Sequence, residues 1–275
     1  MDKIETLGSS TIQHGPDSSR IYLMKLSRID MPGILRDLNS VAFENKYTKI
    51  FAKIPSMYEA FFLDDGYVKE AGIKGFYNDL TDVSFVSKFL SDQRQDNRDR
   101  AETEKNLEIA LKKEVSSDLI PLENYTISRA APEDCAEIAD VFRQVFETYP
   151  FPIHDENYIK QTMKENIVYF KAVNNKKIAA VSSAETYSSW QAVEMTDFAT
   201  LPDHLGKGLA FALLKTMEEE MKQENYKTSY TIARSLSPGM NITFAKAGYK
   251  FCGTLINNTN ISGSIQNMNV WSRKL

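Results

Sequence analysis

The 275-residue sequence predicts an α/β (α+β) protein built on a central mixed, largely antiparallel twisted sheet. Three observations predict it. Apolar residues switch repeatedly between strict alternation, the period of a strand, and a three-to-four-residue period, the spacing of a helix face. Pro, Gly, Asn and Asp cluster where the period changes. The composition, 42% hydrophobic and 25% charged, is that of a globular chain able to bury a core, and the length suits two domains or one enlarged one.

The elements follow in order. Residues 1–19 are polar, without the apolar stretch that a signal peptide needs, so a flexible terminus and a cytoplasmic location are expected. No run of about eighteen apolar residues is present, which argues against a membrane span. Residues 20–91 read as a small α/β unit: a strand at 21–26, a helix at 31–43 with Pro32 in its first turn, and a strand at 47–54. A short helix over 55–62 closes on Asp64-Asp65-Gly66, where glycine takes the left-handed turn, and strands follow at 67–71 and 83–89. Residues 92–120 alternate in charge, with Leu107, Ala110, Leu111 and Val115 as a narrow apolar stripe, and predict a solvated connecting helix ending at a boundary near Pro121.

Residues 121–275 are patterned more sharply. A strand at 125–129 leads to a helix opened by Ala131-Pro132-Glu133-Asp134, with Cys135, Ile138, Ala139, Phe142, Val145 and Phe146 on one face. Tyr149-Pro150-Phe151-Pro152 breaks it, and 155–165 forms a second helix. Strands at 167–173 and 178–186 flank Asn174-Asn175 as a hairpin, and 192–200 adds a third antiparallel neighbour. A long helix at 208–223 buries Ala210, Leu213, Leu214, Met217 and Met221. Strand 228–233, helix 238–247 and strands 251–256 and 267–272 close the chain.

A net charge of −4 with interspersed signs argues against nucleic-acid binding, which needs a basic field. Cys135 and Cys252 lack the paired spacing of a zinc or redox motif, so no metal is expected and both read as core residues.

The stretch EMTDFATLPDHLGKGLA, Glu194 to Ala210, places a strand, a Pro-Asp turn and Gly206-Lys207-Gly208 at the mouth of a helix. The first N–H groups of a helix have no internal partner and its dipole is positive there, so a pyrophosphate can be held by main-chain donors, with Lys207 adding a charge. Two glycines before a helix can also be a plain turn. A dinucleotide fingerprint would need a third glycine where Phe211 stands, and a P-loop a longer spacing. The segment resembles the acetyl-CoA signature of the GNAT superfamily, Gln/Arg-x-x-Gly-x-Gly/Ala, and the order of elements over 125–275 matches that fold.

The resemblance implies acetyl-CoA as co-substrate, with Leu205, Gly206, Lys207, Gly208, Leu209 and Ala210 around the pyrophosphate. Phe198, Ala199 and Thr200 lie along the strand whose splayed main chain, near Phe198 or Ala199, gives an N–H to the thioester carbonyl. Asn241 and Phe244, in PGMNITFAKAGY, lie near the pantetheine arm, although Asn241 can equally pack or cap its helix. Asp203 stands where the signature has Gln or Arg, and Phe244 where a tyrosine acid is common. Glu194 is the candidate general base. Deprotonating an alkylammonium at pH 7 costs roughly 4 to 5 kcal/mol, which a positioned carboxylate or a carboxylate with one water can share. Strand alternation places Glu194, Thr196, Phe198 and Thr200 on one face and Asp197 on the other. His204 sits in the phosphate loop, and His14 and His154 have no visible partner.

The GNAT-like motif, SPGMNITFAKAGYKFCGTLINNTNISGSIQNMNVW, and IFAKIP with GFYN in the first half are similar to the β-lysine N6-acetyltransferase family. That resemblance implies a small-molecule acceptor, β-lysine, acetylated on its distal amine to a compatible solute used in osmoadaptation. Asn257-Asn258-Thr259-Asn260 is expected to join the last two strands. Asn258 and Asn269 are candidates to grip the acceptor's polar end, with Tyr149 and Phe151 along its methylenes; turn or packing roles are the alternative for each. Another small amine, such as lysine or a polyamine, or a non-catalytic acyl-CoA sensor are the rival readings, and a homodimer is left open. Gly66-Tyr67 and the strand after it are spaced like Gly248-Tyr249 and its strand, so the first half reads as a degenerate copy of the second that covers the acceptor cleft without binding CoA.

Overall fold

In the computed structural model, which describes residues 2–116 and 122–275, the alternating segments of the first half form β1 (Lys3–Leu7), β2 (Ser10–Gly15) and β3 (Arg20–Lys25). Helix α1 (Ile34–Glu44), β4 (Lys49–Pro55), α2 (Glu59–Asp64) and the hairpin β5 (Val68–Tyr77) and β6 (Thr81–Phe89) follow. Two helices, α3 (Asp92–Gln95) and α4 (Arg100–Leu111), lead out of this half. The second half runs β7 (Tyr125–Arg129), α5 (Cys135–Val145), α6 (Glu156–Glu165), β8 (Ile167–Asn174), β9 (Lys177–Tyr187) and β10 (Ala192–Thr200). It ends with α7 (Leu209–Gln223), β11 (Thr228–Arg234), α8 (Pro238–Lys246), β12 (Lys250–Ile261) and β13 (Ser264–Lys274).

The strands form one 13-stranded sheet in the order β1-β2-β3-β4-β6-β5-β12-β13-β11-β10-β9-β8-β7. Its two halves share a topology. In the first, antiparallel β1-β2-β3 is followed by α1, by β4 parallel to β3, and by a hairpin whose second strand, β6, inserts beside β4. In the second, antiparallel β8-β9-β10 is followed by α7, by β11 parallel to β10, and by a hairpin whose second strand, β13, inserts beside β11. The helix-to-hairpin corners coincide in detail. Gly66 and Gly248 have φ of 85° and 84°, the next tyrosine amide bonds Phe62 O or Phe244 O, and that tyrosine stacks edge-on against the same phenylalanine.

The halves meet where β5 touches β12 at the single pair Gly253↔Ala71. A Cβ on Gly253 would lie 2.2 Å from Glu70 O, so only glycine allows this approach. Beside the seam a buried ion pair, Lys49 to Glu70 at 2.9 Å, is tied to the Ile256 main chain, whose amide donates to Glu70 and whose carbonyl accepts from Lys49.

Alternation sorts the core into faces. Ile21, Leu23, Ile50, Ala52 and Ile54 pack under α1 and α2. Their neighbours Tyr22 and Phe51 point the opposite way, into one core with Ile138 and Phe142 of α5, Ile159 of α6, and Ala192 and Tyr230 of β10 and β11. Phe170, Val193, Met195 and Trp271 face α7 and α8. The helix-free face of the first half is thus closed by the second, which is where the site lies.

Several expectations change. The predicted flexible terminus is an edge hairpin: Ile12 and His14 are buried, and His14, expected to lack a partner, contacts Tyr47 Oη at 3.0 Å and Glu5 at 2.7 Å. Gly8-Ser9 supplies the turn that polarity alone concealed. Helix α1 begins at Ile34, beyond Pro32. The predicted connecting helix is broken between α3 and α4, and it is not only a solvated face, because α4 lies against α8 and Arg94 is buried, donating to Asn257 O (2.6 Å), Thr48 Oγ1 (3.0 Å) and Ser18 O (2.8 Å). The boundary near Pro121 lies outside the described residues. Cys135 is buried as expected, whereas Cys252 is only half-buried.

Candidate active site

The mouth of α7 forms as the motif requires. Gly206 and Gly208 have φ of 74° and 79°, a region that side-chain-bearing residues rarely adopt, and Gly208 caps the helix. The amides of Gly206, Lys207 and Gly208 form no hydrogen bond among the described residues, and a Cβ on Gly206 would meet nothing within 4 Å. Unpaired donors therefore lie at a positive helix end with open space beside Gly206, which fits a diphosphate. Lys207 folds back to donate to Asp203 O at 3.0 Å, and His204 contacts the Tyr125 hydroxyl at 2.7 Å.

Next to this mouth the sheet opens. Strands β10 and β11 pair in parallel only over Ala192–Glu194, ending at Glu194↔Tyr230. On its other edge β10 bulges: Thr196 pairs with Ser183 and Ala199 with Val181, leaving Asp197 and Phe198 opposite one residue, with Asp197 at φ 54°. The bulge turns Asp197 to the same side as Glu194 and Thr196, correcting the strict alternation expected from sequence. Its carboxylate accepts from the Tyr149 and Ser183 hydroxyls. Main-chain groups at the bulge are released from the ladder, in the place where an N–H donor to a carbonyl is needed.

The opening leads into a cleft of about 130 Å³, walled by Glu194, Thr196, Asp197 and Phe198 of β10, Thr231–Arg234 of β11, Met240 and Phe244 of α8, and Asn258 and Thr259 of β12. Tyr149 and Phe151, from the break between α5 and α6, close it, and the first half contributes Arg20, Tyr22 and Phe51. A second hollow, lined by Tyr158, Glu165, Glu185 and Tyr187, joins it through shared walls at Tyr22, Tyr149, Phe151, Glu194, Thr196 and Asp197.

The electrostatics at this junction are unusual. Burial and then the field of Glu185 push the Glu194 carboxyl up to about 7, while Lys53 and a hydrogen bond from Tyr230 pull the other way. Glu194 keeps some accessible surface, but it faces the enclosed cleft. Burial also raises Asp197. Lys53 is buried, donates to Tyr230 Oη at 3.1 Å and lies 4.3 Å from the Tyr187 ring centre; burial lowers its pKa while the Glu194 and Glu185 fields raise it. Three carboxylates among tyrosine rings suit an alkylammonium, and a carboxyl titrating near 7 can take its proton.

Of the residues singled out from sequence, Glu194, Phe198, Phe244, Tyr149, Phe151 and Asn258 come together around the cleft. Phe198 meets Phe244 edge-on at 5.6 Å. Ala199 and Thr200 return to the ladder with Val181 and Ala180 and do not line the cleft. Leu205 to Ala210 form the separate mouth described above. Two candidates are corrected. Asn241 is fully buried and committed to protein: it donates to Arg234 O and Ser237 O and accepts from Asn269 and the Trp271 indole. Asn269, its partner, also accepts from Ser235 and Thr254. The run 257–260 lies inside β12, and Ser262-Gly263 makes the turn.

Sequence reasoning missed Arg20, Tyr22, Lys53, Glu185 and Tyr230. One signal was present: in KIFAKIP, Lys49, Phe51 and Lys53 share the strand face opposite Ile50, Ala52 and Ile54, an apolar strand with two lysines on one side.

Residues 134–249 match the acetyltransferase (GNAT) family. Over 271 residues the chain is 40% identical to the β-lysine N(6)-acetyltransferase of Methanococcus maripaludis, covering 98% of both proteins. It is 39% identical over 153 residues to the β-lysine N(6)-acetyltransferase of Methanosarcina mazei, covering 56% of each. To the N-acetyltransferase YodP of Bacillus subtilis it is 29% identical over 243 residues, covering 88% of this chain and 87% of that one. The chain therefore belongs to the acetyltransferase (GNAT) family and, within it, to the β-lysine N(6)-acetyltransferase group.

Proposed function

We propose that this N-acetyltransferase moves an acetyl group from acetyl-CoA to the distal amine of β-lysine, giving N6-acetyl-β-lysine. The observation that carries the reading is the junction at Glu194: a carboxylate titrating near 7 lies where the β10–β11 opening meets a hollow walled by Glu185, Asp197 and tyrosine rings. The similarity to the M. maripaludis protein also runs through the first half, which supplies part of that wall.

Acetyl-CoA supplies the activated acyl group as a thioester. The amides of Gly206 to Leu209 hold its diphosphate, and Phe198 and Phe244 flank its arm. Glu194 accepts the proton of the incoming ammonium, so that the nitrogen lone pair can form the new C–N bond as the C–S bond breaks. An N–H near Phe198 stabilises the charge that grows on the carbonyl oxygen. Phe244 cannot return a proton to the sulfur, so that proton comes from water or from the acceptor nitrogen itself.

The two halves of the chain take different roles. The first, with the β1–β2 hairpin, forms an acceptor wall, and the second forms the catalytic unit. The product carries no net charge, which suits a compatible solute that accumulates during osmoadaptation. Acetyl-CoA consumption measured with β-lysine, α-lysine and spermidine tests the acceptor, and equal rates on all three overturn it.

A further inference from the structure

Arg20 is a deeply buried cation of this cleft whose partners do not account for it. It lies on β3 with 4% of its surface exposed and, among the described residues, no carboxylate within ion-pairing distance. Nη1 donates to Asn258 O at 2.7 Å and to Thr259 Oγ1 at 2.8 Å, and Nη2 reaches Gln13 Oε1 only at 3.5 Å. A guanidinium has five donors, so Nε–H and an Nη2–H remain without a protein acceptor. The group sits 5.4 Å from the Tyr22 ring centre and 5.7 Å from that of Phe51. Burial, the dominant effect, lowers its pKa to about 10, and the fields of Tyr22 and Asp2 offset this only in part. By contrast, the buried Lys49 has Glu70, and Arg94 spends its donors on main-chain and hydroxyl oxygens.

A second unsatisfied group adjoins it. Asn258, 1% exposed, lines the same cleft, and its Oδ1 has no hydrogen-bond partner. The residue whose main-chain carbonyl anchors Arg20 thus carries a side-chain acceptor in need of a donor. An anion with a cation three bonds from its carboxyl carbon, as in a β-amino acid, would satisfy both. Glu194 and Asp197 line both hollows and Glu185 lines the second, whereas Arg20 lines only the first, so acidic groups run along the shared wall into the second hollow and the basic group stays in the first.

We propose that Arg20 binds the carboxylate of the acceptor through its free guanidinium edge, while Asn258 Oδ1 takes the adjacent β-ammonium. The first half of the chain thereby sets acceptor specificity, and the distal amine is directed to Glu194. This deepens the acceptor reading above and rests on it. Pairing of arginine with a carboxylate is two-pronged, so lysine is a poor replacement at such a site.

The test compares β-lysine with 1,4-diaminopentane, the same skeleton without the carboxylate, using the full chain and acetyl-CoA. Arg20→Met is expected to lower kcat/KM for β-lysine about 10²-fold, mainly through KM, and to leave the diamine within about threefold. Arg20→Lys, which keeps the charge if the methionine variant folds poorly, should show a smaller loss confined to β-lysine. Asn258→Ala should weaken both substrates, because both carry the inner ammonium. Equal losses on the two substrates for Arg20→Met would make Arg20 a purely structural residue. Selective loss from Arg234→Met instead would move the carboxylate to Arg234, the cleft arginine that donates to Ser262. Either result overturns the proposal. If the wild type prefers α-lysine yet Arg20→Met still loses only carboxylate-bearing acceptors, the Arg20 role stands and the β-lysine reading falls.

Discussion

Replacing Glu194 with glutamine should make the protein slower and, above neutrality, more stable. Burial and Glu185 raise this carboxyl from 4.5 to about 7 in the folded chain. For a group whose folded pKa lies above the unfolded one, the stabilising contribution is complete below 4.5 and is lost as pH rises to about 7. At 1.36 kcal/mol per unit the whole displacement is worth about 3 kcal/mol, and between pH 5 and pH 8.5 about 2 to 3 kcal/mol of it is lost. Glutamine keeps the shape and carries no charge, so Glu194→Gln should exceed the wild type by about 1 kcal/mol at pH 5 and by about 3 kcal/mol at pH 8.5. Urea unfolding at the two pH values measures this difference. In parallel, acetyl transfer should fall about 10²- to 10⁴-fold with acetyl-CoA binding retained, and the wild-type kcat/KM should rise with pH through about 7. A variant with unchanged pH dependence of stability would show that Glu194 is not desolvated as described, and undiminished turnover would remove it as the base.

Three further outcomes follow from the same structure. Lys53→Met removes a positive field that favours the ionised Glu194, so the rising limb of the pH profile should move upward; a one-unit move cuts the ionised fraction at pH 7 about fivefold, read from kcat/KM against pH. Gly206→Val and Gly208→Val each force a side chain into left-handed backbone at about 1 to 2 kcal/mol and should raise the KM for acetyl-CoA about tenfold or more, with little change in acceptor KM. Gly253→Ala drives a Cβ into Glu70 O at the seam between the sheet halves, and main chain cannot yield there, so a loss of about 3 kcal/mol or more is expected in thermal or urea unfolding.

How much of this was legible in the sequence depends on whether a feature is local. Strand and helix order over 125–275 follows from periodicity and from Pro and Gly punctuation, and the α7 mouth from two glycines that need positive φ. The β10 bulge was not legible, because Asp197 sits within an unbroken alternating pattern and only pairing with β9 shows the extra residue. Asn241 and Asn269 looked like ligand-facing amides because polar type does not reveal where an amide points. Their mutual bond across β13 and α8 needs the third dimension. The edge hairpin was hidden by its polarity: β1 is largely exposed, whereas β2 is buried between neighbours.

The two halves share a topology but differ where a cofactor would enter. In the second, β10 and β11 separate after Glu194↔Tyr230, and the following helix opens on Gly208 in left-handed backbone. In the first, β3 and β4 stay paired through Leu23↔Ala52, and α1 opens on Gly33 at φ −59°, already helical. The first half thus lacks both the parted strands and the left-handed helix entry that the second half has. What the first half keeps is the strand face that its partner leaves free of helices, bearing Arg20, Tyr22, Phe51 and Lys53. An acceptor with charges at both ends calls for cations as well as carboxylates along its cleft; β11 offers the partly buried Arg234 there, and β3 of the first half adds the buried Arg20. The first half supplies its cations from two adjacent strands held rigidly by the Lys49–Glu70 pair and the Gly253 seam, so the placement of Arg20 and Lys53 is set by sheet register rather than by a loop.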